Sequence, residues 1–255
     1  MTIREPPIAR VVMSTGHLRV LALSVSKKAS EIQDICPGQQ LPLIVRVTMS
    51  VRTRNVHMLI FDDVEVLDFC GPFEVFSVAG RRHGIEPFQV YTVAPEPLPV
   101  TARGGLSINP NYSIADVPEP DLLLVPGGPG TRALIQNEKI IDWVKHTSKN
   151  VEIALSVCSG ALVLGRAGLL DGLKATTHCG AIDELRSVAP TVDIRATARV
   201  LDNGNVVVSA GVSAGIDLAL HVVARLIGRA TAIETACYIE YDWSGSATNF
   251  DGKTQ

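Results

Sequence analysis

The run Ala154-Leu155-Ser156-Val157-Cys158-Ser159-Gly160-Ala161 puts a thiol where an apolar run gives way to a helical pattern. This predicts a buried strand ending at Val157 and a helix starting at once. A residue on such a turn stands at the carboxyl edge of the sheet, where open α/β folds bind ligands. The same geometry presents the serine of a nucleophile elbow. There Cys158 faces the positive end of the helix, which lowers its pKa and favours the nucleophilic thiolate. The Ser159 N–H is free at that helix start and can stabilise an oxyanion. The plainer alternative makes Cys158 a small buried hydrophobe.

Pro126-Gly127-Gly128-Pro129-Gly130 also closes an apolar run. Its glycines let the backbone approach a neighbour closely. Gly127 and Gly128 can offer N–H groups to the same oxyanion, or form a plain turn. Asp68, in Val66-Leu67-Asp68-Phe69-Cys70-Gly71-Pro72, is either a helix N-cap or a carboxyl group within reach of Cys158. In the second case it shuttles protons or tunes the thiol. His178 lies twenty residues after Cys158. It is either an accessory partner for the thiol or a structural histidine. His17, His57, His83, His146 and His221 show no ligand spacing. No HExxH, clustered Cys/His set or carboxylate array is present, so no metal site is expected. Neither a Walker lysine motif nor a post-strand GxGxxG supports nucleotide binding. Cys70 and Cys179 read as packed thiols, Cys237 as core, and Ser213 as a helix cap with Asp217 near the helix dipole.

These residues need a scaffold, and the chain from Asn55 onward alternates strand and helix patterns. Apolar runs at 56–61, 122–125 and 151–157 read as buried strands, and 88–94 is β-rich. Pro72 fits the first turn of a helix carrying Phe73, Phe76 and Ala79. Residues 133–149 place Leu134, Ile140, Ile141 and Val144 on one helical face. A further helix spans 159–168, with Gly168 near its end. Asp202-Asn203-Gly204-Asn205 is a hairpin turn between two short strands. Helices at 214–227 and 231–238 close the pattern. Wholly apolar strands alternating with helices imply an α/β fold with a mostly parallel sheet and helices on both faces.

Composition bounds the rest. The chain has 255 residues, 46% of them apolar and 19% charged, enough to bury a core without staples. No run is long and apolar enough to span a membrane, so no membrane association is expected. The net charge of −3 argues against nucleic acid as a partner. Five scattered cysteines without a CxxC pair suit free thiols in a reducing compartment, hence a cytoplasmic protein. Residues 1–57 hold eight Lys and Arg against three Asp and Glu, whereas the remainder holds fifteen against twenty-three. Residues 1–54 also lack periodicity. A transit peptide fits poorly because of Glu5 and Pro6-Pro7. The stretch is expected to be a disordered extension or a start-site artefact, with the working protein beginning at Met49 or Met58. The domain is placed at 55–242, and 243–255 reads as a frayed tail.

Five segments occur in order: Asp68-Phe69-Cys70-Gly71-Pro72-Phe73-Glu74-Val75-Phe76, Val125-Pro126-Gly127-Gly128, Ser156-Val157-Cys158-Ser159-Gly160-Ala161, Ala175-Thr176-Thr177-His178 and Ser213-Ala214-Gly215-Ile216-Asp217. Together they resemble the ThiJ/PfpI superfamily of class I glutamine amidotransferase-like proteins, nearest to its isonitrile hydratase branch. The resemblance covers residues 55–242. It implies a flavodoxin-like three-layer sandwich, a homodimer and a cysteine on a strained elbow. It also implies hydration of an isonitrile, a small-molecule substrate, to an N-substituted formamide without metal or organic cofactor. Carried over by motif, Cys158 is the nucleophile and Asp68 manages protons or activates water. Ser159 stands where that branch usually has threonine, and Cys179 where it often has tryptophan.

Other activities are open on the same scaffold. Glyoxalase, deglycase and amidase chemistry compete with hydration. A protease is disfavoured, because those relatives carry histidine at the position of Ser159. A non-enzymatic thiol sensor would oxidise Cys158 to sulfinate instead of turning over. The domain also forms the sensor half of AraC-type regulators. That reading expects a basic helix-turn-helix pair after the domain, whereas this sequence ends at Gln255.

Overall fold

The structure, a computed structural model, describes residues 51–245 together with Val11–Ser14 and His17–Val20. Those two short segments pair as an antiparallel ribbon within a unit of their own. The expectations for the rest of 1–50 and for 246–255 lie outside the described residues.

Seven strands form the central sheet. They are β1 (Arg54–Leu59), β2 (Phe88–Ala94), β3 (Tyr112–Ser113), β4 (Leu122–Val125), β5 (Ile153–Val157), β6 (Val200–Asp202) and β7 (Val206–Ser209). Their order across the sheet is β6-β7-β5-β4-β1-β2-β3, and only the β6–β7 pair is antiparallel. Leu122–Val125 and Ile153–Val157 are buried at every position, which is why the first reads as an unbroken apolar run and the second is interrupted only by Ser156. The expected hairpin is present, with Asn203 N–H bonded to the Val206 carbonyl at 2.9 Å.

The helices are α1 (Val66–Val78), α2 (Thr131–Leu134), α3 (Glu138–Thr147), α4 (Gly160–Arg166), α5 (Ile182–Val188), α6 (Ala214–Leu226) and α7 (Arg229–Tyr238). One group, α1, α6 and α7, packs together beside β2 and β7. The other, α2 to α5, packs around α4 against β4 and β5. This is the flavodoxin-like three-layer sandwich. Among the described residues no helix is long and apolar enough to cross a membrane.

Three local expectations need correction. Pro72 does not start α1 but lies inside it, so the Asp68 carbonyl lacks its usual N–H partner in the next turn. The proline is accommodated because it packs against Gly215 at the start of α6. The single helix expected at 133–149 is two, because the Asn137 side chain accepts the Ile140 N–H and caps α3 afresh. Cys179 and Cys237 are exposed instead of packed, while Cys70 is half-buried.

Candidate active site

Three loops at the carboxyl edge of the sheet build the site: the β5–α4 turn, the β4–α2 loop and the β7–α6 loop. Cys158 sits on the first with φ 58°, a left-handed backbone that a non-glycine residue adopts only under constraint. Its own N–H reaches the Ala210 carbonyl at 3.1 Å, and its carbonyl accepts the Thr177 hydroxyl at 2.7 Å. The turn is tight because Gly160 lies on the β4 backbone, where a Cβ would run into the Val125 carbonyl. Gly127 is confined in the same way. A Cβ there would come within 2.8 Å of both the Cys158 Cβ and the Asp68 Oδ2.

Asp68 reaches this point from the first turn of α1. It is not the N-cap, since Glu65 holds that position and makes no side-chain cap bond. The Asp68 carboxyl group is wholly buried, and its Oδ2 accepts the Gly127 N–H at 2.9 Å. Oδ1 makes no regular hydrogen bond among the described residues. Burial pushes the carboxyl up to about 6, against the lowering effect of the Gly127 N–H and the Cys158 thiol.

The thiol does not behave as expected. Burial, and then the Asp68 charge, push Cys158 up to about 12. The N–H groups of Ser159 and Val212 oppose this only in part. The positive end of α4 does not offset this, because that helix has only seven residues. At rest, therefore, Cys158 is a thiol beside a carboxylate.

The predicted oxyanion donors are also committed elsewhere. Gly127 N–H serves Asp68, and Gly128 N–H donates to Ser159 Oγ at 3.0 Å. Ser159 Oγ lies 3.2 Å from the Gly128 carbonyl and 3.3 Å from Thr131 Oγ1. The Ser159 side chain thus ties two loops together, while its N–H acts on Cys158. His178 is not brought into a pair with the thiol. Its Nδ1 accepts the Gly180 N–H at 3.1 Å, which caps the short helix after it, and its ring packs over Gly211.

Val212 was not singled out in the sequence. It has φ 51°, a costly conformation for a β-branched residue, and its N–H acts on both Asp68 and Cys158. The only signal was position, directly before Ser213-Ala214-Gly215, small residues that let α6 approach β5 and α1. Ser213 stands at the N-cap of α6 and Asp217 in its first turn, as expected, but Ser213 makes no side-chain cap bond and Asp217 also holds Arg199.

A parallel α/β sandwich with a strained elbow cysteine and a buried carboxyl group beside it defines the class. The DJ-1/PfpI family model matches residues 54–225, and the chain belongs to that family. It is 35% identical over 187 residues to an isonitrile hydratase of Pseudomonas putida, covering 73% of this chain and 78% of that one. It is 29% identical over 185 residues to the HTH-type transcriptional regulator CdhR of Pseudomonas aeruginosa, spanning 72% of this chain but only 54% of the regulator. A crystal structure of a ThiJ/PfpI family protein from Pseudomonas syringae superposes with a TM-score of 0.68 at 32% identity, covering 75% of this chain and 76% of that one.

Proposed function

We propose that the protein is a lyase that adds water to isonitriles and releases N-substituted formamides. Cys158 is the nucleophile and Asp68 the proton carrier. The observation behind this reading is a buried thiol beside a carboxyl group that titrates near 6. A base for this work is most effective when its pKa lies near the working pH. The likeness to an isonitrile hydratase supports the substrate class.

The Asp68 carboxylate takes the thiol proton as the sulfur attacks the terminal isonitrile carbon. It returns that proton to the same carbon, giving a thioimidate, Cys–S–CH=N–R. Water then adds to this carbon, one of its protons passing to nitrogen by way of Asp68. The C–S bond breaks, the thiol is restored and the formamide leaves. One isonitrile and one water give one formamide, and the balance needs no oxidant or reductant. A free resting thiolate is not required, which suits the raised thiol. Homodimerisation and a cytoplasmic setting belong to the same reading; the four described cysteines are all free.

The test is incubation with a simple alkyl isocyanide, following formamide by NMR, beside Cys158→Ala. Formamide from the wild type alone supports the reading. No formamide from either protein overturns it. The likeness to CdhR favours a second reading, a small-molecule or thiol sensor. That reading expects tight ligand binding or peroxide oxidation of Cys158 without turnover. Glyoxals are the next substrates to try on the same site.

A further inference from the structure

The strained Val212 lies in Ala210–Ser213, a segment held at both ends by one residue outside it. The Arg199 carbonyl accepts the Ala210 N–H at 2.9 Å. The Arg199 side chain donates from Nη2 to Ser213 Oγ at 3.2 Å. Between these two points sit Gly211 and Val212. The guanidinium is itself fixed. Its Nε donates to Asp217 Oδ2 at 2.7 Å, and Nη2 lies 2.6 Å from the same oxygen. Tyr241, beyond the end of α7, closes the group from a distant part of the chain. Its hydroxyl donates to Asp217 Oδ2 at 2.9 Å and lies 3.3 Å from Arg199 Nη2.

We propose that Arg199, locked by Asp217 and Tyr241, is a positioning residue that holds the Val212 N–H toward the Cys158–Asp68 pair. A left-handed valine relaxes to ordinary backbone unless its flanks are fixed, and this clamp fixes both flanks. Relaxation turns the Val212 N–H away and removes one of the two backbone donors that favour the thiolate. The inference rests on Cys158 being the reactive group of the reading above, but not on the substrate. Asp68 acts on Cys158 and Glu65, at the start of α1, acts on Asp68; His178 follows Thr177, whose hydroxyl holds the Cys158 carbonyl. Over the loop after β4 lies Arg132 of α2, whose Nη1 donates to the Gly128 carbonyl at 3.2 Å, and behind the β7–α6 loop stand Arg199, Asp217 and Tyr241.

The test is the rate of Cys158 alkylation by iodoacetamide across pH 6–10, with each cysteine resolved by peptide mass. Arg199→Met is expected to slow Cys158 alkylation roughly tenfold at pH 8 and to displace the profile to higher pH. Tyr241→Phe, which keeps the ring and loses only the hydroxyl, is expected to slow it roughly threefold. Arg199→Lys is expected to recover part of the loss. A profile unchanged or faster in Arg199→Met and Tyr241→Phe overturns the proposal, even if both variants melt earlier, because that describes a mere tie. Should Arg199→Met fail to fold, Tyr241→Phe decides alone. Alkylation needs no isonitrile, so this result stands apart from the fate of the hydration reading.

Discussion

Asp68 and His57 both have no exposed surface, yet the fold treats them differently. Asp68 sits at the carboxyl edge of the sheet, with the Gly127 N–H on one oxygen and a thiol nearby. His57 lies within β1, and neither ring nitrogen has a hydrogen-bond partner among the described residues. Its ring stands edge-on to Tyr91 at 6.0 Å. Burial pushes Asp68 up to about 6 and His57 down to about 4, with the Asp121 charge opposing the second shift. In each case burial favours the neutral form. The neutral form of a carboxyl group carries a proton and that of an imidazole lacks one, so acid acts on the two sites with opposite sign. Burial creates chemistry only where a reactive partner shares the space, and among the described residues His57 has none.

Asp68→Asn carries the largest expected effect. The amide oxygen can still accept the Gly127 N–H, but it cannot carry the proton. Hydration is expected to fall roughly 10²–10⁴-fold in kcat/KM. Stability moves the other way. A raised carboxyl pKa contributes stability that is present below the unfolded value and lost as pH rises through about 6. The wild type therefore gains on the order of 3 kcal/mol from pH 8 to pH 4 through this group, and Asp68→Asn does not. Urea midpoints at the two pH values, set beside the NMR assay, check both halves. Full activity in the variant breaks the assignment.

His57→Leu sharpens the contrast. A lowered histidine pKa contributes stability that is present above the unfolded value of 6.5 and lost as pH falls toward about 4. The wild type loses on the order of 3 kcal/mol across that window through His57. Because Asp68 gains over much of the same range, the wild-type curve is expected to be nearly flat from pH 6.5 to 4. His57→Leu is expected to become more stable as pH falls through this range, and Asp68→Asn less stable. Parallel urea titrations of the two variants test this. Superimposable pH curves would show that the two groups do not oppose each other.

The fold was legible because its central strands are mostly apolar and its turns carry Gly, Pro and Asn. Leu122–Val125 and the 202–205 hairpin turn needed no tertiary information. The start of α1 was misplaced because Pro72 looks like a first-turn residue until Gly215 is seen to make room for it. The elbow was legible for the same reason as the strand before it, since Cys158 falls where two periodicities meet. The thiol's ionisation was not. It depends on Asp68, ninety residues earlier in sequence, arriving next to it. The engagement of the Gly127 and Gly128 N–H groups was hidden too, because a glycine-rich loop does not reveal which acceptor its amides meet. Val212 looked like any apolar residue before a helix, since a strained φ leaves no mark on residue type.

Gly127→Ala pushes Asp68 toward the condition of His57. The added carbon meets Ser159 N at 2.6 Å and the Cys158 Cβ and Asp68 Oδ2 at 2.8 Å, none of them a flexible chain end. The loop must retreat and draw its N–H off the carboxylate. Loss of that bond raises the Asp68 pKa further, so the acid limb of the activity profile moves to higher pH. Overpacking of this kind costs about 1–3 kcal/mol of stability. A kcat/KM profile with an unmoved acid limb would show that the Gly127 N–H does not tune Asp68.

Tyr91→Leu has the smallest expected effect and probes the other side. Tyr91 stands edge-on to His57 and to Tyr112, the second pair at 5.2 Å. Each such contact is worth about 0.5–1.5 kcal/mol beyond burial. A loss of about 1–2 kcal/mol is therefore expected at pH 7.5. Hydration should be unchanged, because the residue is remote in sequence and strand position from the three site loops. The more informative result is at low pH. Leucine leaves part of the ring's volume open, and water entering there gives His57 the hydrogen bonds it lacks. Its pKa then returns toward the ordinary value, and the loss of stability between pH 6.5 and 4 becomes shallower than in the wild type. An unchanged slope would mean that the strand and sheet neighbours of His57, and not the tyrosine, keep water from it.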